Sequence, residues 1–135
     1  MAVSGLGVRW RSRGSARSDI VVYQGSCHCG KISYEVEAEP GPVTACNCSI
    51  CQRRGHLLWF MPREKLNLKT PESDMKFYSF NKHHIKHYFC PNCGCAPFGI
   101  AKDKEGKDMV AVNVRCLEGV DVGTLKVNHF DGRSL

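Results

Sequence analysis

Eight of the nine cysteines of this chain fall into three short clusters: Cys27-His28-Cys29, Cys46-Asn47-Cys48-Ser49-Ile50-Cys51 and Cys90-Pro91-Asn92-Cys93-Gly94-Cys95. Thiolates at Cys-x-Cys or Cys-x-x-Cys spacing supply two ligands from one tight turn to a tetrahedral zinc ion. Two such turns from distant parts of a chain close a four-thiolate structural site. A group of three leaves one corner for water or substrate, which is what a catalytic zinc requires. Cys27 and Cys29 with Cys90 and Cys93 therefore read as the closed site, and Cys46, Cys48 and Cys51 as the open one. The competing readings are buried, metal-free cysteines in the first case. In the second they are a structural site completed by Cys95, His56 or a second chain. Three thiolates on a divalent zinc leave a local charge of −1. Such a centre acidifies bound water less than a three-histidine site does, and it suits a further thiolate as fourth ligand, which points to a substrate carrying a free thiol.

Cys95 and Cys116 are left over. Cys116, in Asn113-Val114-Arg115-Cys116-Leu117, reads as a buried inert thiol, with a nucleophile beside Arg115 as the alternative. His83, His84 and His87 lie on a strand-like stretch and read as surface or outer-shell groups, not ligands.

The elements that must hold these groups are short and strand-like. Ile20–Tyr23 leads into the first cysteine turn. Lys31–Glu37 alternates apolar and polar residues, as a half-buried strand does. Pro40-Gly41-Pro42 is a break, after which Val43–Ala45 feeds the second cluster. Ser49–Arg54 predicts one or two helical turns beneath the cysteines. Leu57–Met61, Met75–Phe80, Ile85–Phe89, Ala96–Ala101, Met109–Val114 and Leu125–Phe130 read as further strands. No long helix is expected, so the fold class is mainly β.

The 135 residues suffice for one domain, and 42% apolar against 24% charged residues is a globular balance. Of the net charge of +6, Arg9, Arg11, Arg13 and Arg17 against Asp19 place three in residues 1–19. The remainder is too mildly basic for a polycationic nucleic-acid binder. Residues 1–19, rich in Arg, Gly and Ser, read as a flexible arm, and residues 20–135 as the zinc-binding domain. No run approaches the length of a membrane span. No apolar leader of a secretory signal is visible, so nine cysteines read as metal ligands rather than disulfides and the expected location is cytoplasmic.

Taken together, Cys-His-Cys-Gly, Cys-Asn-Cys-Ser-x-Cys, Phe-Cys-x-x-Cys-Gly and Asn-x-Arg-Cys-Leu resemble the glutathione-dependent formaldehyde-activating enzyme family, whose animal relatives include centromere protein V. The resemblance runs from about Gly25 to Gly132. It implies a β-tent of antiparallel sheets. It implies two zinc ions per chain, one structural on Cys27, Cys29, Cys90 and Cys93 and one catalytic on Cys46, Cys48 and Cys51. It also implies carbon–sulfur lyase chemistry, the condensation of formaldehyde with glutathione to S-hydroxymethylglutathione and its reversal. A thiolate attacking the aldehyde carbon needs stabilisation of a developing alkoxide. Arg115 and Asn113 are the expected donors for that charge or for a substrate carboxylate. Trp59, Phe60 and Phe98 are candidates for pocket wall or plain core.

Two other functions compete. A non-catalytic zinc module binding chromatin or cytoskeletal partners would use the Arg-rich arm for phosphate contacts. A thiol redox enzyme would depend on Cys116. A zinc nucleobase deaminase is set aside, because its His-x-Glu and Pro-Cys-x-x-Cys are absent.

Overall fold

The computed structural model describes residues 20–80 and 82–134; the Arg-rich arm at 1–19 lies outside them. Ten strands and one short helix follow in the order β1 (Val21–Ser26), β2 (Ser33–Ala38), β3 (Val43–Cys46), α1 (Ser49–Arg54), β4 (Leu58–Pro62), β5 (Leu66–Leu68), β6 (Lys76–Tyr78), β7 (Ile85–Phe89), β8 (Phe98–Lys102), β9 (Asp108–Asn113) and β10 (Val127–Phe130). They form a three-stranded sheet, β1-β2-β5, and a seven-stranded sheet, β10-β3-β4-β9-β8-β7-β6.

The alternation read in Lys31–Glu37 sets the smaller sheet. Ile32, Tyr34 and Val36 are fully buried, while Ser33, Glu35 and Glu37 face outward, because successive side chains of a strand point to opposite faces. Tyr34 pairs with Gly25 across β1 and β2, and a Cβ on Gly25 would lie 2.3 Å from the tyrosine ring. Glycine there lets the ring lie flat against the neighbouring backbone. The ring then meets Phe98 of the larger sheet edge-on, with centroids 5.3 Å apart, the arrangement favoured by aromatic quadrupoles. Val110, Val112 and Val43 complete the seam between the sheets. The result is mainly β, a tent of two sheets closed over one core.

Several details depart from the sequence reading. β5 was not expected; its three residues are too few to show alternation, and it forms by pairing with β2. Met75–Phe80 contracts to β6. β10 begins at Val127 rather than Leu125, since Val122–Thr124 is a 3-10 turn. β10 also runs parallel to β3, with Phe130 opposite Cys46, whereas every other strand pair is antiparallel. β3 and β4 pair only at Thr44 and Leu58. Two residues along that register Pro42 faces Phe60, and proline has no N–H to continue the ladder. His83 has positive φ and lies with His84 in an exposed turn. His87, by contrast, is buried within β7 and stacked on Phe80 at 5.7 Å, so it is a packed core-edge residue and not a surface one.

Candidate metal centres

The first cluster forms where the turn after β1 meets the knuckle after β7. Ile32 N–H donates to Cys27 Sγ at 3.3 Å, and Asn92 and Cys93 N–H donate to Cys90 Sγ at 3.3 and 3.4 Å. These bonds orient each sulfur and offset part of a thiolate's charge. Cys27, Cys29, Cys90 and Cys93 all come within 4.8 Å of one another. The Cys27–Cys29 and Cys29–Cys90 sulfur separations are 3.7 and 3.6 Å. A tetrahedron of zinc–sulfur bonds of about 2.3 Å has edges of about 3.8 Å, so the donors fit a four-thiolate metal. Burial pushes the Cys27 thiol up to about 11, while the backbone N–H groups of Cys95 and then Cys29 draw the half-buried Cys93 down to about 5.

The second cluster is local. Cys46 ends β3, Cys48 is the N-cap of α1, and Cys51 lies in the helix with its side chain buried. Their three sulfurs lie within 4.8 Å of one another, and among the described residues no fourth cysteine, histidine or carboxylate joins them. Cys95 and His56, the two protein candidates for a fourth ligand, are thus elsewhere. Burial raises the Cys46 and Cys51 thiols. At Cys48 burial also acts upward, but hydrogen bonds from the backbone and thiol of Cys51 outweigh it and the thiol is lowered. A cation placed among the three sulfurs would supply the countercharge that this burial withholds.

The end of the described chain closes one side of this cluster. Asn47 N–H donates to Phe130 O at 3.2 Å, Asn47 Nδ2 donates to Asp131 Oδ1 at 3.0 Å, and Arg133 N–H returns to Asn47 Oδ1 at 2.9 Å. The turn is drawn in so closely that a Cβ on Gly132 would stand 2.5 Å from Cys46 Sγ and 3.3 Å from Cys48 Cβ. Beside it is a cavity of about 280 Å³ whose walls include Cys46, Asn47, Gln52, His129, Phe130 and Asp131. Gly132→Ala is expected to push Cys46 aside and weaken metal binding at the three-thiol site by about 5- to 150-fold, since overpacking costs about 1–3 kcal/mol. A chelator-competition titration checks this: the second metal should be lost at lower chelator concentration while the first is retained.

The other expected site residues take different places. Asn113 is buried and its amide is committed: Nδ2 donates to Ala96 O at 3.2 Å and Oδ1 accepts from Arg115 N–H at 3.2 Å. Asn113 therefore caps the 3-10 turn Val114–Cys116 and positions Arg115, and it does not present a free donor. Arg115 Nε donates to Gly55 O at 3.1 Å, fixing the guanidinium over the end of α1, one turn beyond Cys51. Cys116 sits beside Asn113 Nδ2 at 3.9 Å, and burial pushes its thiol up to about 11, the state of an inert cysteine rather than an activated one. Trp59 and Phe98 belong to the core. Phe60 is exposed on a separate cleft beside β4. The aromatic beside the thiols is Phe130, which the sequence reading had not singled out.

His56 follows α1 with 8% of its surface exposed, and its Nε2 has no partner. Burial, then Arg54 and His87, lower its pKa from 6.5 to about 4. Between those values the unfolded chain binds a proton that the folded chain refuses, so stability falls as pH drops through that window, by roughly 3 kcal/mol at most. Above about pH 6.5 the stability is fully present. In urea melts at pH 7 and pH 4.5, His56→Leu should lose less stability on acidification than the parent protein. Equal losses would mean that His56 titrates normally.

The glutathione-dependent formaldehyde-activating enzyme family model matches residues 22–129, which covers both sheets and both cysteine clusters. This chain belongs to that family. A Rhodobacter sphaeroides protein of known crystal structure is similar over 78% of this chain and 99% of its own length, with 30% sequence identity and a TM-score of 0.66. The two ligand sets implied by resemblance to the family are the two sets of sulfurs that this fold assembles.

Proposed function

We propose that this chain is a zinc-dependent carbon–sulfur lyase-type enzyme acting on adducts of aldehydes with glutathione or another small thiol, such as S-hydroxymethylglutathione. The observation that carries this reading is the three-thiol cluster with no fourth protein ligand among the described residues, set against a cavity, in a family of glutathione-dependent enzymes. Cys27, Cys29, Cys90 and Cys93 would hold a structural zinc, and Cys46, Cys48 and Cys51 a second one. Zinc held by Cys46, Cys48 and Cys51 would supply Lewis-acid chemistry toward a substrate thiol.

The chain's own residues do the rest. Cys48 N–H donates to Cys46 Sγ at 3.4 Å, which keeps that sulfur oriented and tempers its charge. Asn113 holds the turn that carries Arg115, and the guanidinium offers positive charge to a developing alkoxide or a substrate carboxylate. Phe130 and the Asp131–Ser134 turn shield one side of the cluster from water. The nine free cysteines favour a reducing compartment such as the cytoplasm. The test is exchange spectroscopy on a mixture of formaldehyde and glutathione. The metal-loaded protein should accelerate interconversion of the free thiol and the hydroxymethyl adduct, and sulfur-edge or zinc-edge absorption should show a new sulfur ligand on adding glutathione. No acceleration and no new sulfur ligand would overturn the proposal.

A further inference from the structure

Two opposite charges stand on the turn that closes the three-thiol site, and neither is paired. Asp131 and Arg133 stand two residues apart on this turn without forming an ion pair with each other. Instead each is held by neutral partners. Asp131 Oδ1 accepts from Asn47 Nδ2 at 3.0 Å and Oδ2 accepts from Ser134 Oγ at 2.6 Å, while the Arg133 guanidinium donates to Gln52 Oε1 on α1. None of the three ion pairs among the described residues includes Asp131 or Arg133. Asp131 and Gln52 also line the cavity that Cys46 borders.

We infer that this cavity and the turn beside it form the subsite for the α-amino-acid end of the thiol substrate, with Asp131 at the cavity wall receiving its ammonium and Arg133, next to it on the turn, its carboxylate. The inference rests on the proposed thiol-adduct chemistry and names the substrate class: a thiol carrying a zwitterionic amino-acid group, as the γ-glutamyl end of glutathione does. Size agrees. At about 280 Å³ the cavity falls just below the roughly 300–1,000 Å³ of sites that enclose a drug-sized ligand, so it fits one arm of a tripeptide whose sulfur reaches the metal. Charge agrees as well. A fixed carboxylate and a fixed guanidinium, separated in advance by Asn47 and Gln52, match a zwitterion without the cost of breaking an ion pair first. The clasp that orients the turn passes through Asn47, between Cys46 and Cys48, so the charged groups are registered to the metal ligands. A thiol lacking the amino group, or an aldehyde adduct of a simple alkyl thiol, finds only half of this complement.

The experiment is calorimetric titration of the zinc-loaded full chain with glutathione and with its desamino analogue, in which a glutaryl group replaces the γ-glutamyl group and the ammonium is absent. The parent protein should bind glutathione about tenfold more tightly. Asp131→Asn should lose most of that preference while its affinity for the desamino analogue stays within about twofold. Arg133→Gln should weaken both ligands alike, since both keep a carboxylate. Equal affinity of the parent protein for the two thiols would overturn the subsite. So would an equal fall for both ligands in Asp131→Asn, the result of a turn that serves only to pack. Zinc-edge absorption on the same samples separates the two levels of the claim. A glutathione sulfur on the metal without ammonium preference removes the subsite alone, and no glutathione sulfur on the metal removes the thiol-adduct function together with it.

Discussion

Cys90→Ser is expected to cost the protein its cooperative fold. Cys90 is 1% exposed and its sulfur lies 3.6 Å from Cys29, 61 residues earlier in the chain. The same residue anchors its own knuckle, with Cys90 N–H donating to Cys95 O and Gly94 N–H to Cys90 O, both at 2.9 Å. A metal on these four thiolates would tie the hairpin of the small sheet to β7, one strand in from the edge of the large one, and would close a loop spanning the 61 residues from Cys29 to Cys90. Structural zinc contributes an apparent 10–16 kcal/mol in the smallest zinc domains, roughly, and a domain of this size is stable by only about 5–15 kcal/mol in total. Losing a ligand also leaves the buried Cys27 and the half-buried Cys93 without their countercharge. The measurement is thermal unfolding followed by tryptophan fluorescence, with metal content determined on the same sample. A broad or absent transition is expected for Cys90→Ser and an ordinary one for Cys116→Ser. A Cys90→Ser protein with two metals and an unchanged transition would remove the structural site.

Cys48→Ser should do the reverse, sparing the fold and abolishing the chemistry. Cys48 is the N-cap of α1, where its sulfur is only a weak acceptor for the N–H groups of the first turn. Serine is among the preferred N-cap residues, because its hydroxyl accepts from the N–H groups of the first turn. The helix should therefore form at least as well. The metal at the three-thiol site loses one of three ligands and should dissociate, so metal content falls from two per chain to one. Outer-shell partners of catalytic metals typically cost about 10–100-fold when removed. Loss of a ligand should exceed that and return glutathione–formaldehyde exchange to its uncatalysed rate. A variant that unfolded together with its metal would mark the three-thiol site as structural. One that kept full exchange activity would place the chemistry elsewhere.

These two outcomes differ because the two clusters are built differently, and the same difference decides what was legible beforehand. Cys46, Cys48 and Cys51 are gathered by a strand end and one helical turn, six residues in all. Spacing alone therefore shows them as a set, and Ser49–Arg54 reads as helix from its sequence. The alternation of Ile32, Tyr34 and Val36 is equally local, since a strand's period of two records which face is buried. The pairing of Cys27 and Cys29 with Cys90 and Cys93 is not local. The two ends lie some 60 residues apart, and tidy spacing could suggest their meeting but only the packing of the two sheets brings it about.

What the sequence by itself determined is the inventory of candidate metal ligands, the local set of three among them, the mainly β class and, through four joint motifs, the family. What only the tertiary structure decided is everything around the sulfurs. The amide of Asn113 is spent on Ala96 and Arg115. His56 is buried without a partner for Nε2. Phe130 replaces Trp59 and Phe98 as the aromatic neighbour of the site. Gly132 lies against Cys46, and Asn47 holds Asp131 and Arg133 beside the cavity. The places of Phe130, Gly132, Asp131 and Arg133 follow from the parallel pairing of β10 with β3, and that of Asn113 from the register of β9 between β4 and β8. Such long-range pairings leave no periodic trace in either partner. Metal ligands are set by short spacings along the chain, whereas the groups that shape a substrate site come from segments that meet only when the sheets close.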